Sequence, residues 1–243
     1  MEIEKYGNGV PIVFIHGAGG STLSWVFQKM YFEGSYTVFL VDLPGHGRSD
    51  GPPSASIGGY AEALKRTFEE NAITSAFIAG HSMGGAVAMD FAFRYPGLVR
   101  GIVLIGTGAR LKVYPEILEG IVKDKEKTAR MIIDTAFSPQ FPEKLKEKVF
   151  AEYMKNDAET VFNDFTACDG FNVIGQLGSL SVPALVICGI EDRFTPVKYS
   201  QYLAGSIPGT GLVLVEGAGH MVMIERPDEV NKAIGAFVEN IIA

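Results

Sequence analysis

In "IAGHSMGGAVAMD" (78–90), Ser82 stands with Gly80 two residues before it and Gly84 two residues after, where a short apolar run meets a helical pattern. A strand that turns directly into a helix forces the corner residue into a sparsely populated backbone conformation, which is tolerable only if its neighbours lack bulk. The corner lifts the hydroxyl above the sheet edge. The helix N-terminus behind it offers free N–H groups and a positive dipole end to a developing anion. G-x-S-x-G alone is short enough to arise by chance, and a serine at a helix start is often only an N-cap. The buried strand before it and the helix after it supply the context of a nucleophile.

A nucleophilic serine needs a base, and the base needs an orienting group. The chain has four histidines. His16 ends an apolar run and opens a glycine loop, His46 lies in the turn "DLPGHGRSD", and His81 adjoins the serine and is expected to point aside. His220, in "VLVEGAGHMVM", follows the last apolar run and falls at the sheet edge where ligands of open α/β sheets gather. It is the expected base. For the orienting acid, "PALVICGIEDRFTP" places Glu191 and Asp192 just past a strand end, and Asp192 is the choice. The preceding loop "GTGAR" has no carboxylate, and Asp169 in "ACDGF" is a weaker competitor. The loop "HGAGGSTLSW" (16–25) is too glycine-rich for an ordinary turn, and the backbone amides of Ala18 and Met83 are the expected oxyanion donors. It is not a nucleotide cradle: G-x-x-x-x-G-K-[ST] is absent, and neither "GAGGST", "GTGARL" nor "GAGHMV" completes G-x-G-x-x-G.

The elements that must carry these residues follow from hydrophobic periodicity. "PIVFIH" (11–16), "YTVFLVD" (36–42), "SAFIAG" (75–80), "GIVLIG" (101–106), "PALVICG" (183–189) and "GLVLVEG" (211–217) read as strands buried on both faces. Helical spacing occupies 56–71, 83–96, 196–205 and 226–241. The alternation predicts an α/β fold with a mostly parallel sheet of about seven strands and helices on both faces. "MEIEKY" is a candidate antiparallel edge strand. Residues 107–182 contain no convincing buried strand and suggest about four short amphipathic helices. The chain is thus expected to divide into a core of 1–109 and 179–243, with a helical cap of 110–178 inserted over the sheet's C-terminal edge. Met131, Phe137 and Phe162 of that insertion are candidate pocket residues, although apolar residues at helical spacing are more often the packed core of such an insertion. Gly17, Trp25, His81 and Met221 are candidates nearer the serine.

Bulk properties narrow the function. The 243 residues are 47% apolar and 20% charged, which suits an ordinary globular core. A formal net charge of −7 argues against nucleic acid or an anionic membrane as the main partner. There is no run of eighteen apolar residues and no signal-peptide pattern in "MEIEKYGNG", so a cytoplasmic setting is expected. Cys168 and Cys188 are in no metal spacing and are expected to be reduced, buried and structural. No metal and no organic cofactor are expected, and the expected partner is a small-molecule ester.

The segments "HGAGG", "DLPGHGRSD", "GHSMGG", "GIEDRFTP" and "GAGH", in that order along nearly the whole chain, resemble the α/β-hydrolase superfamily in its branch of small capped carboxylesterases. The resemblance implies Ser82 as nucleophile, His220 as general base and acid, Asp192 as its partner, and an oxyanion hole from Ala18 and Met83. It also implies that "DLPGHGRSD" is mainly a structural loop, and that the sheet lacks the first strand of the family's full eight. A serine at position 82 sets aside the dehalogenases and epoxide hydrolases, which use aspartate. Carboxylic ester hydrolysis with short to medium acyl chains is the expected activity. Carbon–carbon bond hydrolysis of ring-cleavage diketones, thioester hydrolysis, lactone hydrolysis, perhydrolysis and a non-catalytic binding role remain open. "HGAGGST" lacks the Gly-Pro-Gly often found in the carbon–carbon hydrolases, which weakens that alternative.

Overall fold

The computed structural model describes all residues 1–243. Seven strands form one sheet: β1 (Ile3–Tyr6), β2 (Pro11–Ile15), β3 (Thr37–Val41), β4 (Ala76–His81), β5 (Val99–Ile105), β6 (Ala184–Gly189) and β7 (Gly211–Val215). Their order is β1-β3-β2-β4-β5-β6-β7. Only β1 is antiparallel, lying along β3, as expected for the N-terminal segment. The strand bounds agree with the apolar runs to within two residues at each end.

Alternation along the strands sorts the core into two layers, because successive side chains leave a strand on opposite faces. Val13 and Ile15 point into the layer formed with α2 (Ile57–Glu70), α3 (Met83–Arg94) and α8 (Val197–Ser206). Ile12 and Phe14 point into the other, against α1 (Val26–Phe32), α9 (Val222–Glu225) and α10 (Pro227–Ile242). Helices α1 and α9, of seven and four residues, are too short to declare themselves in the periodicity. Helix α1 buries only Gln28 and Phe32 and exposes Phe27, Met30 and Tyr31, so its outward face breaks the polar pattern expected of a surface helix.

Between β5 and β6 the chain forms α4 (Pro115–Lys123), α5 (Lys125–Ala136), α6 (Glu143–Tyr153) and α7 (Ala158–Gly170). These four helices share a small core of their own around Ile117, Ile121, Ile133, Phe137 and Val161. The segment leaves and rejoins the sheet side by side: Arg110 bridges Asn172, and the Val173 amide donates to the Ala109 carbonyl at 2.8 Å. No helix is long and apolar enough to cross a membrane.

Candidate active site

Ser82 is the corner between β4 and α3 and has φ 52° and ψ −115°. A residue with a Cβ at positive φ is strained, and the surroundings must hold it there. Two close approaches explain the flanking glycines. A Cβ on Gly80 would lie 2.1 Å from the Gly84 carbonyl oxygen, and one on Gly84 would lie 2.3 Å from that of Ile15. Helix α3 therefore packs its first turn directly on the strands, and the Ser82 amide is held by the Ile105 carbonyl at 2.9 Å. The Thr107 hydroxyl donates to the Ser82 carbonyl at 2.8 Å.

His220 and Asp192 are brought together from loops after β7 and β6. Asp192 Oδ2 accepts from His220 Nδ1 at 2.9 Å and from Thr195 Oγ1 at 2.7 Å, while Oδ1 accepts the Phe194 and Thr195 amides at 2.9 Å each. Burial opposes the charge on Asp192. The His220 ring and the Thr195 donors outweigh it and hold the carboxyl below the usual carboxylate range. The His220 loop is pinned by its amide to the Ala136 carbonyl at 2.7 Å and by buried Glu225, which accepts the Gly219 and Ser138 amides. Nothing in the sequence pattern marks Thr195 or Glu225 for this work.

His81 turns aside from the serine, as expected, and donates from Nε2 to the His220 carbonyl at 3.0 Å. Burial and the neighbouring His220 push its pKa down to about 3, so it is a neutral prop at ordinary pH. Asp169 lies away from the histidine, paired with Lys112 at 2.7 Å and accepting the Val113 amide.

The loop after β2 faces the serine corner. A Cβ on Gly17 would lie 3.2 Å from Ser82 Cβ and 2.8 Å from His81 Nδ1. The amides of Ala18 and Met83 make no hydrogen bond within the protein. The His220 ring meets Asp192 and Thr195, and no hydrogen bond joins it to Ser82 Oγ.

Gly17, Ala18, His81, Ser82, His220 and Met221 open into one cavity of about 810 Å³, mostly apolar, which the four inserted helices help to wall. Other candidates lie elsewhere. Trp25 is fully buried against Phe14 in the opposite layer, with ring centroids 5.1 Å apart. Met131 is 46% exposed on the outside of α5, because the 100° step between helical residues turns its neighbours Ile132 and Ile133 inward instead. Phe137 is spent on the insertion's core, stacked on Phe141 at 4.4 Å. Phe162 packs against that same core, and Phe165, nearly one turn later, lines the cavity. Cys168 and Cys188 are buried and unpaired. No cluster of three His, Cys, Asp or Glu is placed to hold a metal ion.

Residues 12–233 match the alpha/beta hydrolase family, and the chain belongs to it. A thermophilic esterase of solved structure is 33% identical, with a TM-score of 0.88 and 99% of each chain covered. Est816, described as an N-acyl homoserine lactone degrading enzyme, is 30% identical with a TM-score of 0.90, over 97% of this chain and 96% of its own. The (E)-2-((N-methylformamido)methylene)succinate hydrolase of Acinetobacter baylyi is 26% identical over 245 residues, 97% of this chain and 92% of its own. The chain is thus a hydrolase of the α/β-hydrolase type.

Proposed function

We propose that this hydrolase cleaves carboxylic esters of short to medium acyl chain through an acyl-enzyme on Ser82. The observation that carries the reading is the buried Asp192–His220 pair at 2.9 Å, whose histidine lines the same cavity as the strained Ser82. Ser82 Oγ adds to the ester carbonyl as His220 Nε2 takes its proton. The resulting imidazolium is balanced by Asp192, and the new oxyanion is received by the Ala18 and Met83 amides. Collapse breaks the acyl–oxygen bond, and the imidazolium returns the proton to the departing alcohol. Water then adds to the acyl-enzyme as His220 takes its proton, and collapse breaks the bond to Ser82 Oγ, which recovers that proton as the carboxylic acid leaves.

Residues 110–178 serve in this reading as a cap whose apolar wall, including Ile117, Ile132 and Phe165, receives the acyl chain. Each buried methylene contributes about 0.8 kcal/mol while there is room, and overpacking beyond it costs roughly 1–3 kcal/mol. The similarity to Est816 brings lactones, which are cyclic esters, into the same reading.

The test is turnover across nitrophenyl esters from acetate to palmitate, lactones, thioesters and vinylogous diketones. Ester activity that rises to a short or medium chain and then falls is the expected result. Diketone cleavage without ester turnover would make this a carbon–carbon hydrolase, and no turnover of any class would make it a binding protein.

A further inference from the structure

The insertion does more than wall the cavity. The α6–α7 junction and the first half of α7 grip the loop after β2 at the two peptides that flank the Gly19 Cα. The Gly19 amide donates to Asp164 Oδ2 at 2.8 Å, and Asn156 Nδ2 donates to the Gly19 carbonyl at 2.8 Å. The Tyr153 ring closes the third side: a Cβ on Gly19, which sits at φ +63°, would lie 2.3 Å from it. Asp164 and Asn156 are both buried, and Asp164 is fully so.

Asp164 is itself held from the core. Tyr60 donates to Oδ1 at 2.5 Å, and His46 Nε2 lies 2.7 Å from Oδ2. Burial presses the His46 ring toward neutrality, but the Asp164 charge and hydrogen bond outweigh it and raise its pKa. A charge-assisted pair in a dry site is rigid and costly to disturb. The motif "DLPGHGRSD" thus has a use for His46 that its spacing does not disclose: it fastens the carboxylate that fastens Gly19. Gly19 is the residue after Ala18.

We infer that Asp164 and Asn156 are positioning residues that set the Ala18 amide for the oxyanion, so that the insertion completes the catalytic machinery instead of only covering it. This rests on the esterase reading above, in which the Ala18 amide is an oxyanion donor. A misaimed donor loses transition-state stabilisation and leaves ground-state binding largely intact.

The experiment measures the rate of phosphonylation of Ser82 by a nitrophenyl phosphonate, together with kcat and KM on an ester, in the full chain. Asp164→Asn is expected to lower both kcat and the labelling rate by about 10- to 100-fold with KM within threefold. Asn156→Ala acts on the next peptide, through the Gly19 carbonyl, without touching Asp164. It is expected to lower both by about three- to 30-fold, and it carries the test if Asp164→Asn does not fold. Thr166→Ala removes a hydroxyl of the same helix that bonds only the Phe162 carbonyl at 2.8 Å and is expected to keep both rates within threefold. Labelling of Asp164→Asn and Asn156→Ala at the parent's rate, or an equal loss in Thr166→Ala, overturns the positioning role alone. A parent that neither labels at Ser82 nor turns over esters overturns the esterase reading, and the positioning role with it.

Discussion

The Asp192 carboxylate meets the His220 ring at 2.9 Å while three donors from Phe194 and Thr195 hold its remaining lone pairs. An acid so bound has one orientation. The ring it faces is thereby left with Nε2 directed away from Asp192 and Nδ1 as the donor, the tautomer a general base requires.

Asp192→Asn keeps the size of the side chain but presents an amide to a ring that must become cationic. The equivalent change in a serine protease costs about 10⁴ in kcat, and a loss of that order is expected here. Glu191→Gln and Asp169→Asn should stay within tenfold of the parent, since Asp169 is engaged with Lys112 and Val113. Steady-state kinetics on one ester decides it: comparable damage from either control would mean that Asp192 is not the orienting acid.

Ser82→Ala should abolish turnover, because no other hydroxyl occupies a strand–helix corner of this kind. Loss of the nucleophile in a serine protease costs roughly 10⁶ in kcat. Intact mass after phosphonate treatment should show one adduct on the parent and none on the variant. An adduct on the Ser82→Ala protein would place the nucleophile elsewhere.

Gly84→Ala tests the packing that makes the corner. The added methyl meets the Ile15 and His16 carbonyl oxygens at 2.3 and 2.6 Å, backbone at the end of β2 and just past it. Overpacking here should cost about 3 kcal/mol or more, a fall in Tm on the order of 6–12 °C. Gly97→Ala, where nothing lies within 4 Å of the new methyl, is the control. Equal melting temperatures for the two variants would show that the corner tolerates bulk.

Acid should weaken the fold before the carboxylates titrate. His16 and His81 are buried and neutral, with pKa values pushed down to about 3 by burial and by a neighbouring histidine each, His46 and His220 respectively. The unfolded chain binds those protons near pH 6.5 and the folded one does not, so stability falls with pH between about 6.5 and 3, by up to about 1.4 kcal/mol per pH unit for each ring. His46 has the opposite sign. Its raised pKa gives stability that is whole below 6.5 and is lost as pH rises through the folded value. Urea midpoints should therefore fall steadily from pH 6.5 to 4.5, and a flat line over that range would contradict the burial of His16 and His81.

Much of the site is legible in the amino-acid sequence because its chemistry depends on local backbone. Gly80, Ser82 and Gly84 announce the corner by their spacing alone, since a tight strand–helix turn must be free of bulk wherever it occurs. The apolar runs announce the parallel strands for a similarly local reason, and with them the sheet edge to which Ser82, Asp192 and His220 come. Long-range packing leaves no such mark. Ile132 and Met131 are adjacent and both apolar, yet one lines the cavity and the other faces outward, because the rotational phase of α5 is set by what it packs against. Trp25 is near the loop in sequence but is drawn to Phe14 in the other layer. Asp164 lies 145 residues from Gly19 and 118 from His46, and its neighbours in the chain carry no motif. A buried carboxylate is defined by the donors that converge on it, and these come from the β2 loop, the 42–49 turn and α2, which only the folded chain brings to one point.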